Sequence, residues 1–203
     1  VAWDYNGRER PGSIDQRTKA SFLIMDVTAW HALYLVWLGA GTLDFWLHRA
    51  SGIESTSGLR ESTLHLAQIA VLGLATILWL SFRSSPAFFA MLLALVLLHA
   101  VAGYWDTRVA YPKRAIRPLE QHVHSILDIA PWIAAGAIYW AMPSEPYGPL
   151  LTLEPKPPAL WLFALMPALL LTGLPAVYEF WRCWDHQHRS AGRKAKKPSD
   201  RTS

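Results

Sequence analysis

Four short spacings carry the chemistry of this chain. Asp44 and His48 are four residues apart, as are Glu61 and His65; His124 stands four after Glu120 and four before Asp128; His99 and Asp106 are seven apart. On a helix, residues four or seven apart share a face. Each group therefore presents a carboxylate and an imidazole to the same neighbour. Carboxylate and imidazole without thiolate is a ligand set for iron, manganese or zinc. Nine donors exceed what one ion uses, so the expected cofactor is a pair of divalent ions, iron first, with manganese or zinc as alternatives and the surplus donors orienting the ligands.

Any one of these residues, taken singly, is ordinarily a helix cap or a polar group reaching the interface, and a hydrogen-bonded Asp–His network is a purely structural alternative. The coincidence weighs against both. Apart from Asp26, every acid within or beside the first four apolar stretches has a histidine four or seven residues away. Ionisable groups inside a bilayer are costly and tend to mark functional sites.

The elements that must position these residues are long and apolar. Hydrophobic residues make up 52% of the 203 and charged ones only 17%, below the quarter or so usual in soluble domains. Five stretches, near 22–47, 63–82, 86–106, 124–142 and 159–181, approach the ~20 residues that cross a bilayer. The expected fold is all-α, a polytopic transmembrane bundle of about five helices in one domain, four of them lining a polar site and the fifth a bystander. Pro86 and Pro118 fit first turns, where a missing N–H costs nothing. Residues 1–21 read as a polar N-terminal segment rather than a cleavable leader. Residues 143–158 read as a proline-stiffened loop, and 182–203 as a basic disordered tail.

Alternating crossings bring all four acid–histidine groups to one end of the bundle. That end also collects thirteen of the nineteen Lys and Arg, including Arg49, Arg60, Arg114, Arg117 and those of the tail. The positive-inside rule then makes it cytoplasmic, with the N-terminus outside, in a bacterial inner membrane. The basic residues flank apolar runs, a placement that fits lipid headgroups as partners rather than nucleic acid. Cys183 is the sole cysteine, which excludes an internal disulfide and a cysteine-rich metal site. Dinucleotide-binding, P-loop and zinc-finger spacings are absent.

The segments LDFWLHR, GLRESTLHLAQ, GYWD and YPKRAIRPLEQHVHSILD resemble those of an uncharacterised bacterial membrane family with a di-metal site. In chemistry and bundle architecture, residues 40–130 are also similar to membrane di-iron hydroxylases and desaturases and to ferritin-like di-iron carboxylate proteins. The motifs differ. HxxxH and HxxHH boxes are absent, and DxxxH, ExxxH and HxxxD stand where ferritin-like sites have ExxH. The resemblance implies a membrane-bound di-iron oxidoreductase or monooxygenase, a lipophilic substrate, and an electron donor or partner membrane subunit. A zinc-dependent membrane hydrolase, a b-type haem protein (His65 with His99, or His48 with His124) and a metal-binding accessory subunit are the alternatives. A cation-transporting role is disfavoured, because polar residues are lacking at mid-membrane and toward the other end.

Overall fold

The structure is a computed structural model that describes residues 27–142 and 151–195. Five helices follow one another up and down. They are α1 (Val27–Ala50), α2 (Leu59–Ser81), α3 (Pro86–Ala110), α4 (Pro118–Trp140) and α5, in which Pro158–Ala168, Leu169–Gly173 and Leu174–Ala195 run on without a break. Among the described residues there is no strand, only an isolated bridge between Phe82 and Leu153.

Leu59–Ser81, Pro86–Ala110 and Pro158–Arg193 are long and apolar enough to cross a membrane. The other two, of 24 and 23 residues, have the length. Their apolar composition is diluted by the residues of interest, Asp44 and His48 on α1 and Glu120, His124 and Asp128 on α4.

The helix ends follow local chemistry. Ser85 caps α3 by accepting the Phe88 N–H, and Pro86 and Pro118 open their helices as the sequence predicts; Pro158, expected in the loop, opens α5. The α1–α2 connection is tight, and it turns on Gly52 and Gly58, whose φ values of 67° and 59° suit glycine. At the other end, an extended segment satisfies carbonyls that α2 leaves open. Ser81 accepts the Glu154 N–H and Leu80 that of Lys156, while Lys156 Nζ donates to Trp79 and Phe82. Burial pushes the Lys156 pKa down.

The two ends of the bundle have different cores. Ala75, Phe88, Leu92, Val96 and Ala135, from α2, α3 and α4, form an apolar core toward the α2–α3 turn. At the opposite end a smaller apolar cluster of Ala40, Leu47 and Val123 adjoins a group of buried ionisable side chains: Asp44, His48, Glu61, His65, Asp106, Glu120 and Glu179.

The fifth helix differs from expectation twice. It runs past residue 181 to Ala195, so the first part of the basic tail is helical; residues 196–203 lie outside the described set, as do 1–21 and the first half of the proline-rich loop, 143–150. Arg189 pairs with Asp185 one turn earlier and His188 stacks on Trp184, contacts that keep this polar stretch helical. Nor is α5 a bystander, because Glu179 is buried against α1 and α2.

Candidate metal centre

The site begins with two histidines. His48 on α1 and His65 on α2 stack face to face, ring centres 4.5 Å apart and planes within 3° of parallel. One side chain from α5 sets that geometry. Glu179 accepts from His48 Nδ1 through one carboxylate oxygen (3.2 Å) and from His65 Nδ1 through the other (2.7 Å). A carboxylate only accepts, so each Nδ1 carries a hydrogen. Each Nε2 is then left to face the remaining acids. Phe45 packs edge-on against both rings and closes them off from α1.

A crowd of carboxylates meets those nitrogens. His48 Nε2 lies 3.5 Å from Asp44 Oδ1, 3.5 Å from Glu120 Oε1 and 3.7 Å from Glu61 Oε1. His65 Nε2 lies 3.2 Å from Asp106 Oδ1, and His124 Nε2 lies 3.0 Å from Asp44 Oδ1. Despite the short distances, Asp44 Oδ1, His48 Nε2, His65 Nε2 and Asp106 Oδ1 make no hydrogen bond among the described residues. Ligand atoms about 2.1 Å from one ion are separated by roughly 3.0–3.4 Å; the spacings found here run from 3.0 to 3.7 Å, from that range to slightly beyond it.

Two sets of ligand atoms fall within 4.8 Å of one another: Asp44, His48, Glu120 and His124, and His48, Glu61 and His65. The buried cluster can therefore hold a metal ion. Seven of the nine residues expected from sequence converge, Asp106 entering through His65. The other two do not join either set. His99 is buried with an unpaired Nδ1 in the wall of an apolar cavity above the cluster. Asp128 is exposed, its carboxylate resting over Gly103, where a β-carbon would come within 3.0 Å of it. A turn further into α4 than His124, it sits at the rim.

Sequence reasoning missed one participant. Glu179 lies in PAVYEFWRC, the acid of the fifth apolar run, and the histidine seven residues on, His186, is not in either ligand set. Its signal was its place inside that run, since an intramembrane acid needs a partner. Arg114, one of the basic residues at this end, pairs with two of the acids. Its NH2 lies 2.5 Å from Glu61 Oε1 and 2.5 Å from Glu120 Oε1. Burial alone would lower its pKa; the pairing with Glu120 and Glu61 outweighs burial and raises it. The guanidinium stays charged and neutralises part of the acid excess.

Outside the cluster, His31 meets Phe163 edge-on at the far end of α1. His122 and His188 are exposed and His186 half-buried. Tyr104 and Trp105 beside Asp106 are exposed, with Arg108 over the Trp105 ring, as expected of anchors at a membrane surface.

No protein-family model matches the chain, and neither the curated proteins nor the solved structures yield a match. The functional reading therefore rests on the geometry.

Proposed function

We propose that the cluster is a binuclear metal centre, that of a membrane-bound oxidoreductase acting on a lipophilic substrate. The observation that carries this reading is the stacked His48–His65 pair, held through Nδ1 by Glu179 and presenting two Nε2 atoms to four further buried carboxylates. Rings 4.5 Å apart suit two ions side by side, close to the ~3.5–4 Å of two-metal sites. Charge supports it. Asp44, Glu61, Asp106, Glu120 and Glu179 against Arg114 leave four negative charges buried, which two divalent ions balance.

The competing network of imidazolium and carboxylate fits less well. It would stack two cations on each other, and it would require each Nε2–H to line up with an acceptor, which neither does. A b-type haem does not need so many acids beside its ligands.

The donor set favours iron, with manganese or zinc as alternatives. Iron so held supplies dioxygen chemistry. In a monooxygenase reaction one oxygen atom enters a C–H bond of the substrate, and the other leaves as water with two electrons and two protons from an external donor. The chain's own residues would hold the ions, while Glu179 fixes the imidazoles and Arg114 stays against the acids. The basic residues at this end support a centre near the cytoplasmic face, with the C-terminus inside and lipid headgroups around it. A soluble donor or a partner subunit would meet it there.

Elemental analysis with absorption and Mössbauer spectra on gently purified protein tests the proposal. Two equivalents of iron or manganese per chain are expected. Protein that retains no metal would overturn the reading, and a single zinc would replace the oxidoreductase with a hydrolase.

A further inference from the structure

A cavity of about 390 Å³ lies inside the bundle next to the cluster, a volume usual for small-molecule sites. Asp44 and His65 line its near end, Tyr34 and Thr76 its far end. The run from Tyr34 to Asp44 is ten residues of α1, so the cavity extends about 15 Å along the bundle. Most of its lining is apolar and comes from α1, α2 and α5, with Leu38, Ile69, Leu72, Leu165 and Leu169 among it.

The polar side chains in that lining are spent or turned away. Every hydroxyl has given its proton to a helix carbonyl: Tyr34 to Ala164 at 2.5 Å, Thr76 to Leu72 at 2.9 Å and Thr172 to Ala168 at 2.7 Å. Gln68 holds its amide oxygen toward α3, 3.5 Å from where a Gly103 β-carbon would stand. His99 Nδ1 and Trp37 Nε1 have no partner among the described residues, but both atoms are sealed within the wall and offer nothing to the space. A polar or charged ligand would therefore lose its water and gain no hydrogen bond along the wall. A hydrocarbon loses nothing.

Lipid tails are as apolar as this wall, so burial alone does not draw a hydrocarbon in. The gain is contact. Wall atoms that face an empty space lack dispersion partners, and an occupant restores them. Met166 and Leu169 line the cavity while 44% and 51% exposed, which makes α5 the side on which it meets the bilayer. The π-helical turn Leu169–Gly173 lies in this same wall, and such turns recur at functional sites. The cluster stands at one end of the bundle. A bilayer lipid keeps its headgroup at that depth and its chains run away from it, whereas a molecule without a headgroup lies either way up.

We propose that this chamber is a hydrocarbon site. It takes an uncharged molecule without a polar headgroup, dissolved in the bilayer and entering beside α5, and brings C–H groups against Asp44 and His65. The substrate class of the metal centre is then plain hydrocarbon, which rests on the metal reading for what is done to the molecule but not for its binding.

Photolabelling in lipid nanodiscs, mapped by peptide mass spectrometry, tests this, with metal content measured on the same samples. Three probes carry a diazirine: an alkane, a phosphatidylcholine with the group at the tip of one acyl chain, and an alkylammonium with the group next to the charge. The alkane should label Ile69 and Leu72 about fivefold or more above Leu97 and Leu98, which are exposed on α3. Neither of the other probes should show that excess. Gly73 lines the cavity and has nothing within 4 Å of a β-carbon position, so Gly73→Phe should abolish the excess while metal content stays unchanged. Gly73→Leu is the smaller plug if Phe disturbs folding. No excess with the alkane, an excess that survives both plugs, or equal labelling by the ammonium probe would each overturn the proposal. An equal, plug-sensitive excess from the phospholipid would overturn it too, by giving the cavity to a bilayer lipid. Wall labelling by the alkane in protein that never holds metal keeps the hydrocarbon site and removes only the oxidoreductase; metal without wall labelling does the reverse.

Discussion

The two ends of this bundle bury side chains equally well but by opposite means. At the α2–α3 end, Phe88 and Leu80 are fully buried among other apolar groups. Nothing is owed there to a ligand, since shape and dispersion contacts suffice. At the other end His48 and Glu61 are fully buried among acids. A buried charge is tolerated only when paired, and Arg114 is one cation among five carboxylates. The apolar end therefore rests on its packing, whereas the polar end carries an acid excess that bound ions would offset. Bound ions stabilise the folded state by RT ln(1 + [L]/Kd), about 2.7 kcal/mol at a hundredfold excess over Kd.

The sharpest way to break the comparison is to remove one side chain at each end. His48 belongs to both ligand sets. His48→Ala should take metal from two equivalents to near none by elemental analysis, and chelator should then no longer lower the thermal transition. Phe88→Ala should cost about 3 kcal/mol in an unfolding titration, the low end of the usual range because lipid also solvates apolar surface, with metal per folded chain unchanged. If Phe88→Ala also empties the centre, the two ends are one cooperative unit and the contrast fails.

Next in size is Arg114. Its side chain is 3% exposed and its partners Glu61 and Glu120 are buried with it. Arg114→Leu leaves those acids uncompensated and should destabilise the metal-free protein by about 3–5 kcal/mol. Added divalent metal should restore much of this by supplying the lost positive charge. Thermal transitions with and without metal check it; a loss that metal does not reduce would mean that the acids and the ions are not in contact.

Much of this was legible in the sequence, and the limits have physical causes. Spacings of four within LDFWLH, ESTLH and EQHVHSILD placed three acid–histidine groups on helix faces, and alternation of apolar runs brought those faces to one end. Periodicity reports what one helix presents, so it served where acid and base lie on the same helix. Glu179 pairs across helices, with His48 and His65 more than a hundred residues earlier, and no local spacing encodes that. His99 shared a face with Asp106 yet lies almost two turns deeper, so depth rather than face put it in the cavity wall instead of the cluster. Asp128 likewise shared the His124 face but lies one turn too far from the acids. The helical stretch 182–195 was hidden because its polarity resembles a tail, while its i, i+4 contacts depend on a helix already begun in the apolar part.

Glu179 offers a smaller effect that sharpens the contrast. Glu179→Gln keeps the volume but can no longer accept from both Nδ1–H groups, so one imidazole loses its orientation. Partners of this kind are worth about 10–100-fold in metal affinity. Competition with a chelating dye should show that loss with little change in the stability of the apolar end. An unchanged affinity would mean that stacking and Phe45 alone hold the rings.

The smallest expected effect lies between the two regions. Thr42 Oγ1 donates to Leu171 O, the carbonyl that Pro175 leaves open, at the π-helical turn of α5. Thr42→Val keeps the shape and removes the donor, leaving a half-buried carbonyl unsatisfied at a cost of about 1 kcal/mol. The turn also sets the register of α5. A π-turn holds one residue more than an α-turn and so rotates everything beyond it by about 100°, and Glu179 lies beyond it. Deleting Leu170 to restore α-helical register should therefore turn Glu179 away from His48 and His65 and reproduce the metal-affinity loss of Glu179→Gln, whereas Thr42→Val should lower stability alone. Measuring both quantities on both variants separates the hydrogen bond that fastens the turn from the rotation that aims the carboxylate; a deletion that leaves metal affinity untouched would show that α5 reaches the centre without the turn.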